Sequence, residues 1–97
     1  MTTVVNKRLK SYDVYIGRSP GPRGVFGNPY VIGRDGTREE VLEKFRKYFL
    51  HRVDVDDDFR VQVLALRGKT LGCFCKPEAC HGDVIAQWVD GQPESVF

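Results

Sequence analysis

All three cysteines of the chain and one of its two histidines lie in a single stretch, GCFCKPEACHGD at residues 72–83. Cys73, Cys75, Cys80 and His81 have the residue types and the number of ligands of a structural zinc site. Cys80 and His81 are adjacent, however, and neighbouring side chains rarely converge on one ion. We therefore predict no obligatory cofactor, and we keep zinc on these four residues as one hypothesis.

Two other chemistries suit the same stretch. Cys80 precedes an apolar-periodic run, and a thiol at a helix N-terminus is readily ionised, with His81 or Asp83 as base or orienting group. Alternatively, the turn at Cys80–Asp83 binds an anion, because Gly82 lets backbone amides approach a phosphate closely. Packing alone accounts for any one of these cysteines, but it does not require the whole pattern.

The flanking residues predict a strand, a turn and a helix. In KTLGCFC the residues after Lys69 carry no charge, which suits a buried strand. The following run, CHGDVIAQWVDG, suits a helix that ends at Gly91 and has these residues facing inward: Val84, Ile85, Trp88 and Val89. In open α/β sheets, ligands bind beyond the carboxyl ends of the strands. The cysteine-rich turn is predicted to lie at such a place.

The middle of the chain predicts two helices. TREEVLEKFRKYFLHR, residues 37–52, has a capping box of Thr37 and Glu40, followed by an apolar stripe. FRVQVLALRG, from residue 59, follows a run of aspartates, of which Asp57 or Asp58 is the expected N-cap. We interpret the aromatic residues of these helices as core.

The N-terminal third predicts strands and loops. TTVVNKR and YDVYIGR are β-branched and aromatic runs typical of strands, SPGPRGVFGNPY is a long loop, and VIGRDG is a short extended segment ending in a turn. Alternating strands and helices predict a single α/β domain over residues 1–97, with a short C-terminal tail at 91–97. We expect a short, mixed or partly parallel, Rossmann-like sheet covered by helices.

Composition and charge limit the possible functions. No apolar run approaches the roughly 18 residues of a membrane span, and MTTVVNKRLK has no apolar secretory region, so we expect a cytoplasmic protein with reduced or metal-bound cysteines. Residues 1–34 carry a net charge of +5 and the remainder −3. Such a basic segment predicts an anionic partner: a phosphate-bearing small molecule, a nucleotide or nucleic acid.

The combined motifs, C-x-C-x-P-x₂-C-H-G-D, the loop ending in GNPY and the run IGRDGTREEVLEKFRKYF, resemble the domain of unknown function 4326 family over about residues 4–90. Its members are small bacterial and bacteriophage proteins of unassigned function. A weaker likeness to the domain of unknown function 488 family is limited to the strand, Cys-His and helix, because that family has an arginine where this chain has Gly82. The resemblance implies the following signature positions: Tyr15, Gly17, Arg18, Gly27, Asn28, Pro29, Cys73, Cys75, Pro77, Cys80, His81, Gly82 and Asp83.

These observations lead to three functional hypotheses. The first is a nucleotide- or nucleic-acid-binding domain which, if it is an enzyme, is a hydrolase or transferase acting at a phosphate or N-glycosidic bond. The ligand-binding candidates in that case are Tyr15, Arg18, Gly27, Asn28, Cys73, Cys75 and Gly82, and the catalytic candidates are Cys80, His81 and Asp83. The second is a non-catalytic phage accessory protein that sequesters a nucleotide or binds a host protein, and the third is a zinc-clasped structural module. For Asn28 the sequence leaves two roles open, a turn former or a donor to a base or sugar.

Overall fold

Three short strands form the sheet. A computed structural model of the protein describes residues 1–74, 76 and 78–93, without the side chains of residues 22 and 23. Its strands are β1 (Thr3–Asn6), β2 (Val14–Tyr15) and β3 (Thr70–Cys73). Their order is β1-β3-β2, and both pairings are parallel. The predicted α/β class is confirmed, with a sheet that is parallel at each described pairing rather than mixed.

The composition of β3 explains its central position. Leu71, Gly72 and Cys73 are all buried, as expected of a strand that is paired on both edges and covered on both faces. Gly72 makes room for a ring, because a Cβ there would lie 2.6 Å from Cγ of Tyr12. The strands are shorter than predicted at both ends. β1 stops at Asn6, whose carbonyl accepts from the backbone N–H of Leu9 and of Lys10 and so closes a turn.

The longest helix, α1, spans Arg38–Val55. Its predicted capping box is confirmed: Thr37 Oγ1 accepts from the Glu40 amide at 3.3 Å, and the Glu40 carboxylate accepts from the Thr37 amide at 3.0 Å. The helix continues three residues beyond the predicted end, because Val53 extends the buried face that Val41, Phe45 and Phe49 begin.

The second helix, α2, spans Asp57–Leu64, and our prediction of its cap was wrong. The N-cap is Asp56 rather than Asp57 or Asp58. Asp56 has extended backbone angles, and its Oδ1 accepts from the Phe59 amide at 3.0 Å. Starting the helix at residue 57 directs Phe59 and Val63 into the core, since four residues separate them on one face.

The third helix, α3, spans His81–Asp90, which confirms the predicted helix and its end at Gly91, and its N-cap is Cys80. Ile85 and Val89 are fully buried, whereas Val84 and Trp88 are partly buried against the core. Helix α3 packs against α1, α2 and β1, and no described helix is long and apolar enough to cross a membrane.

The long segment between β2 and α1 is irregular, as predicted, apart from a 3₁₀ turn at Gly21–Gly24. The VIGRDG segment within it is a turn rather than an extended piece, so that prediction was wrong. The cause is Asp35, whose amide donates to the Val31 carbonyl while its carboxylate accepts from the Val31 amide at 2.7 Å. These two hydrogen bonds close the segment on itself.

Candidate functional site at the carboxyl ends of the strands

A cavity of about 420 Å³ opens where β2 and β3 end. This is the place at which ligands usually bind open α/β sheets, and the volume suits a small ligand. Six of the predicted site residues line it together: Tyr15, Arg18, Asn28, Cys73, Cys80 and His81. The structure therefore places Arg18 and His81 in one cavity although they are 63 positions apart in the chain.

Arg18 is positioned by the last residue of β2 and by the loop that follows the strand. The Tyr15 hydroxyl donates to the Arg18 carbonyl at 3.0 Å, and Arg18 Nη1 donates to the Tyr30 carbonyl at 3.3 Å. The first of these contacts requires glycine at position 17, because a Cβ there would lie 2.2 Å from the Tyr15 hydroxyl oxygen. Arg18 makes no ion pair among the described residues, so its other guanidinium donors can serve a ligand.

The GNP loop packs directly on Arg18. A Cβ on Gly27 would lie 3.1 Å from both the Arg18 Cα and the Gly17 carbonyl oxygen, so glycine permits this approach. Asn28 Oδ1 accepts from the Tyr30 amide at 2.9 Å, which confirms the turn-forming role predicted for Asn28. Its amide group remains a possible donor to a ligand. Gly27 itself lines a neighbouring cavity of about 390 Å³, which shares Arg18 and Asn28 with the first.

His81 is buried, and its hydrogen bond fixes the tautomer. Nε2 lies 2.7 Å from the Ile16 carbonyl oxygen, and since a carbonyl only accepts, Nε2 carries the proton. Burial lowers the pKa of His81 below its ordinary value of 6.5, and this effect, to which the Arg18 charge adds, outweighs the opposing effect of the Ile16 and Phe26 carbonyls. At neutral pH the ring is therefore uncharged, and Nδ1 offers a lone pair. Nδ1 lies 3.7 Å from Cys80 Sγ.

Two buried thiols lie close together in the wall of the cavity. Cys73 Sγ and Cys80 Sγ lie 2.9 Å apart, and both side chains are buried. Two thiolates on one tetrahedral zinc, each at about 2.3 Å from the ion, would lie roughly 3.7 Å apart, so this pair would have to separate to share a metal. No group of three potential ligands in the described part of the chain is arranged to hold a metal ion. Cys75 and Pro77 lie outside the described residues, and the zinc hypothesis stays a prediction.

Two further predicted residues do not line the cavity. Asp83 acts within the capping box of α3: its Oδ2 accepts from the Cys80 amide at 3.1 Å, and its Oδ1 accepts from Lys76 Nζ at 2.5 Å. This hydrogen bond is the main cause of the raised pKa of Lys76. The Gly82 amide donates to Cys80 Sγ at 3.3 Å, and a Cβ on Gly82 would lie 2.5 Å from Cδ1 of Ile16. The Gly82 amide, which we predicted to approach a phosphate, is thus engaged within the turn.

Sequence reasoning missed two residues of the cavity wall. Arg38, the first residue of α1, donates from Nη1 to the Ala79 carbonyl at 3.0 Å and lines the cavity opposite the sheet. Phe74 follows β3 and is 47% exposed. Strand alternation would place Phe74 on the face opposite Cys73, so the sequence carried no signal that both line one cavity. Nothing in the sequence indicated that Arg38 reaches the turn before α3.

The wall has a clear electrostatic character. Two guanidinium groups, from Arg18 and Arg38, line it, and none of the aspartates and glutamates that the structure describes does. Tyr15, Tyr30 and Phe74 supply aromatic surface, and aliphatic residues from the turn after Tyr30 and from α1 complete it. The arrangement offers hydrogen-bond donors to an anion beside rings that suit a planar group.

Fold and cavity together define a small α/β protein with a positively charged, aromatic-lined cavity beyond the ends of a parallel sheet. Residues 3–91 match the family model described as Domain of unknown function (DUF4326), and the chain belongs to this family.

Two relatives are similar to this chain over most of their length. An "Uncharacterized 12.4 kDa protein in nrdA-td intergenic region" of Enterobacteria phage T4 is 43% identical over 87 residues, which cover 90% of this chain and 76% of that protein. "Uncharacterized protein R718" of Acanthamoeba polyphaga mimivirus is 32% identical over 96 residues, which cover 84% of this chain and 70% of the relative. No solved structure matches the chain.

Proposed function

We propose that this protein binds a nucleotide, or a nucleotide unit of nucleic acid, in the cavity at the strand ends. One observation supports this most directly. Arg18 and Arg38 line the same cavity as three aromatic rings, and no carboxylate among the described residues opposes them. Guanidinium groups recognise phosphate through several directed hydrogen bonds, and aromatic rings stack on bases.

The hydrogen bonds favour the arginines over the turn before α3 as the site of the proposed phosphate. The amides of Cys80, Gly82 and Asp83 all donate within the turn, to Asp83 Oδ2, Cys80 Sγ and the Cys80 carbonyl respectively. A phosphate would have to displace these hydrogen bonds. Arg18 instead retains donors that no described protein group uses, and it lines both cavities. Tyr15 and Phe74 would then contact the base, and the Asn28 amide a base or sugar edge.

The test is a calorimetric titration of the reduced protein with adenosine, guanosine, cytidine and uridine monophosphates. We expect saturable binding of at least one of them. Arg18→Gln should weaken it by roughly tenfold to a hundredfold, the loss expected for a hydrogen bond to a charged group. Arg46→Gln is the matched control, since Arg46 is an exposed arginine of α1 outside both cavities. Absence of binding by all four nucleotides, or equal binding by Arg18→Gln, would refute the proposal.

A catalytic function, as hydrolase or transferase, is the second candidate, and one observation favours it. A neutral imidazole faces a thiol within the cavity wall, with Nδ1 of His81 available as a base toward Cys80 Sγ or toward a bound water. Asp83 contributes only by holding the turn that carries both groups.

Turnover separates an enzyme from a protein that only binds. Chromatography of each nucleotide after incubation would reveal a released base or phosphate. His81→Gln, which keeps a donor toward the Ile16 carbonyl, should abolish any turnover while nucleotide affinity is retained. A protein that binds nucleotide but never converts it would instead support the sequestering accessory protein of the second hypothesis.

A further inference from the structure

A group of cationic and aromatic side chains lies at the edge of the cavity, and its two cations take no part in the nucleotide site described above. The Tyr15 and Phe74 rings meet edge to face, with 6.1 Å between their centroids. Lys7 Nζ lies 4.7 Å from the centre of the Tyr15 ring and 4.6 Å from that of Phe74, and the Arg8 guanidinium carbon lies 5.2 Å from that of Phe74. We refer to Lys7, Arg8, Tyr15 and Phe74 as the strand-end cluster.

The strand-end cluster is continuous with the cavity. Tyr15 and Phe74 line the cavity, whereas Lys7 and Arg8 do not, so the two rings separate the cavity from the two cations. A ligand that leaves the cavity past these rings therefore meets positive charge immediately. Neither Lys7 nor Arg8 forms an ion pair with any residue that the structure describes, and both charges remain available to an anion.

Backbone contacts hold the strand-end cluster in place. The Lys7 amide donates to the Cys73 carbonyl at 2.9 Å, and Asn6 Nδ2 donates to the carbonyls of Phe74 and Lys76 at 3.3 and 2.8 Å. Asn6 Oδ1 accepts from the Arg8 amide at 2.9 Å. Asn6 thus ties the turn after β1 to the turn after β3, so that little ordering is needed when a ligand binds.

The chemistry of this surface indicates which ligand would cover it. A half-exposed phenylalanine with two cations over its ring matches the alternation of base and phosphate along a single strand. A base can stack on the exposed part of the Phe74 ring or on the Arg8 guanidinium, and the lysine and arginine can neutralise phosphates.

We propose that the cavity and the strand-end cluster form one binding path for single-stranded nucleic acid, in which the cavity holds one nucleotide and the cluster holds its neighbour. This inference rests on the proposed nucleotide binding and names the ligand as a strand rather than a free nucleotide.

The experiment compares a strand with its monomer. A fluorescein-labelled ten-residue oligothymidylate is titrated by anisotropy, and thymidine monophosphate by calorimetry, in the same buffer. We expect the oligonucleotide to bind at least tenfold more tightly than the monophosphate. Arg8→Gln and Lys7→Gln should each weaken oligonucleotide binding several-fold and lower its salt dependence by about 0.7 per lost phosphate contact. Both should leave binding of the monophosphate unchanged, because neither residue lines the cavity.

The control variant is Lys10→Gln, which removes an exposed cation from the same turn but outside the strand-end cluster. Thermal melting confirms that each variant folds. Equal affinity for strand and monomer, with no effect of Arg8→Gln, would overturn this inference and leave the nucleotide site intact. If neither probe binds and the four ribonucleotides also fail, the proposed function fails with it. Strand binding that depends on Arg8 but not on Arg18 would also overturn the single path, since the cavity would then take no part.

Discussion

The two aromatic groups of this protein differ in what surrounds them. In the core, Phe49 stacks on Phe45 and meets Phe59 and Trp88 edge to face, with ring centres 5.7–5.9 Å apart. At the strand ends, Phe74 meets only Tyr15 among the described rings and is 47% exposed.

Cations lie over rings in both places, but they are balanced differently. The guanidinium carbon of Arg52 lies 4.0 Å from the centre of the Phe59 ring. Arg52 Nε also forms an ion pair with Asp56 Oδ2 at 3.5 Å. Lys7 and Arg8 have no such carboxylate among the described residues. A cation that is neutralised within the protein contributes to the fold, whereas one left beside an exposed ring is available for binding. This difference distinguishes the core from the candidate interface more clearly than residue type does.

The largest expected effect tests the core. Phe49→Ala should lower the free energy of unfolding by about 3–5 kcal/mol, because it removes a fully buried ring and leaves a cavity. Phe74→Ala should cost less than about 1 kcal/mol, since its ring is half exposed. Urea denaturation followed by circular dichroism measures both.

Phe49→Leu serves as a milder variant if Phe49→Ala does not fold. Comparable losses for Phe74→Ala and Phe49→Ala would make the strand-end cluster part of the core and would remove the distinction drawn above.

The next effect concerns Gly82, which the sequence assigned to the ligand site and the structure places against the sheet. Gly82→Ala should destabilise the protein by about 1–3 kcal/mol, because the added methyl group would lie 2.5 Å from the fully buried Ile16 side chain. Gly91→Ala, at the other end of α3, is the matched control. Its Cβ meets backbone at an ordinary 3.4 Å, so its stability should hardly change. If Gly82→Ala kept its stability but lost nucleotide binding, Gly82 would have a role in ligand binding rather than in packing.

A third prediction concerns His81, a polar residue of the candidate site that is nearly as buried as the core. Its lowered pKa means that the unfolded chain binds a proton more readily than the folded protein. The contribution of the neutral His81 to the free energy of unfolding is therefore fully present above pH 6.5, the ordinary histidine pKa. It declines as the pH falls from 6.5 toward the lowered pKa of the folded protein. Urea midpoints at pH 7.5 and 5.5 should show this loss, and His81→Gln should reduce it.

A complementary measurement is the ¹⁵N spectrum of the ring as a function of pH. It should show Nε2 protonated at neutral pH, with Nδ1 unprotonated. A phosphate bound near Arg18 would offset the positive charge of its guanidinium group, and the pKa of His81 should then rise. A ring that is already charged at pH 7 without ligand would contradict the assignment of Nδ1 as a base.

Local sequence patterns predicted much of the fold, and the reasons lie in particular residues. Thr37 and Glu40 specify the start of α1 without any distant partner, and the Val84–Val89 pattern specifies the inner face of α3. The site was harder to predict, because it depends on contacts between segments far apart in the chain. The signature motifs indicated Arg18 and His81 separately, but only the folded sheet places them in one cavity. Arg38 was missed because its contact with Ala79 spans 41 positions.

The smallest predicted effect tests a local ambiguity that the sequence could not resolve. Asp56, Asp57 and Asp58 are three consecutive aspartates, and any of them has the chemistry of an N-cap. Only backbone geometry distinguishes them, since the cap residue must be extended while the next enters the helix, and Asp56 alone satisfies this. Asp56→Ala should lower the melting temperature by a few degrees, and Asp58→Ala by less.

Asp56→Asn separates the cap from the charge. Asparagine caps a helix about as well as aspartate, so this variant should melt close to the wild type at neutral pH. The Phe59 amide, the main cause of the lowered pKa of Asp56, stabilises the carboxylate, and that contribution is lost as pH falls below the ordinary value of 3.8. The difference in melting temperature between wild type and Asp56→Ala should therefore shrink in acid. The difference between Asp56→Asn and Asp56→Ala should persist. A larger loss for Asp58→Ala than for Asp56→Ala would move the start of α2 and, with it, the inward direction of Phe59.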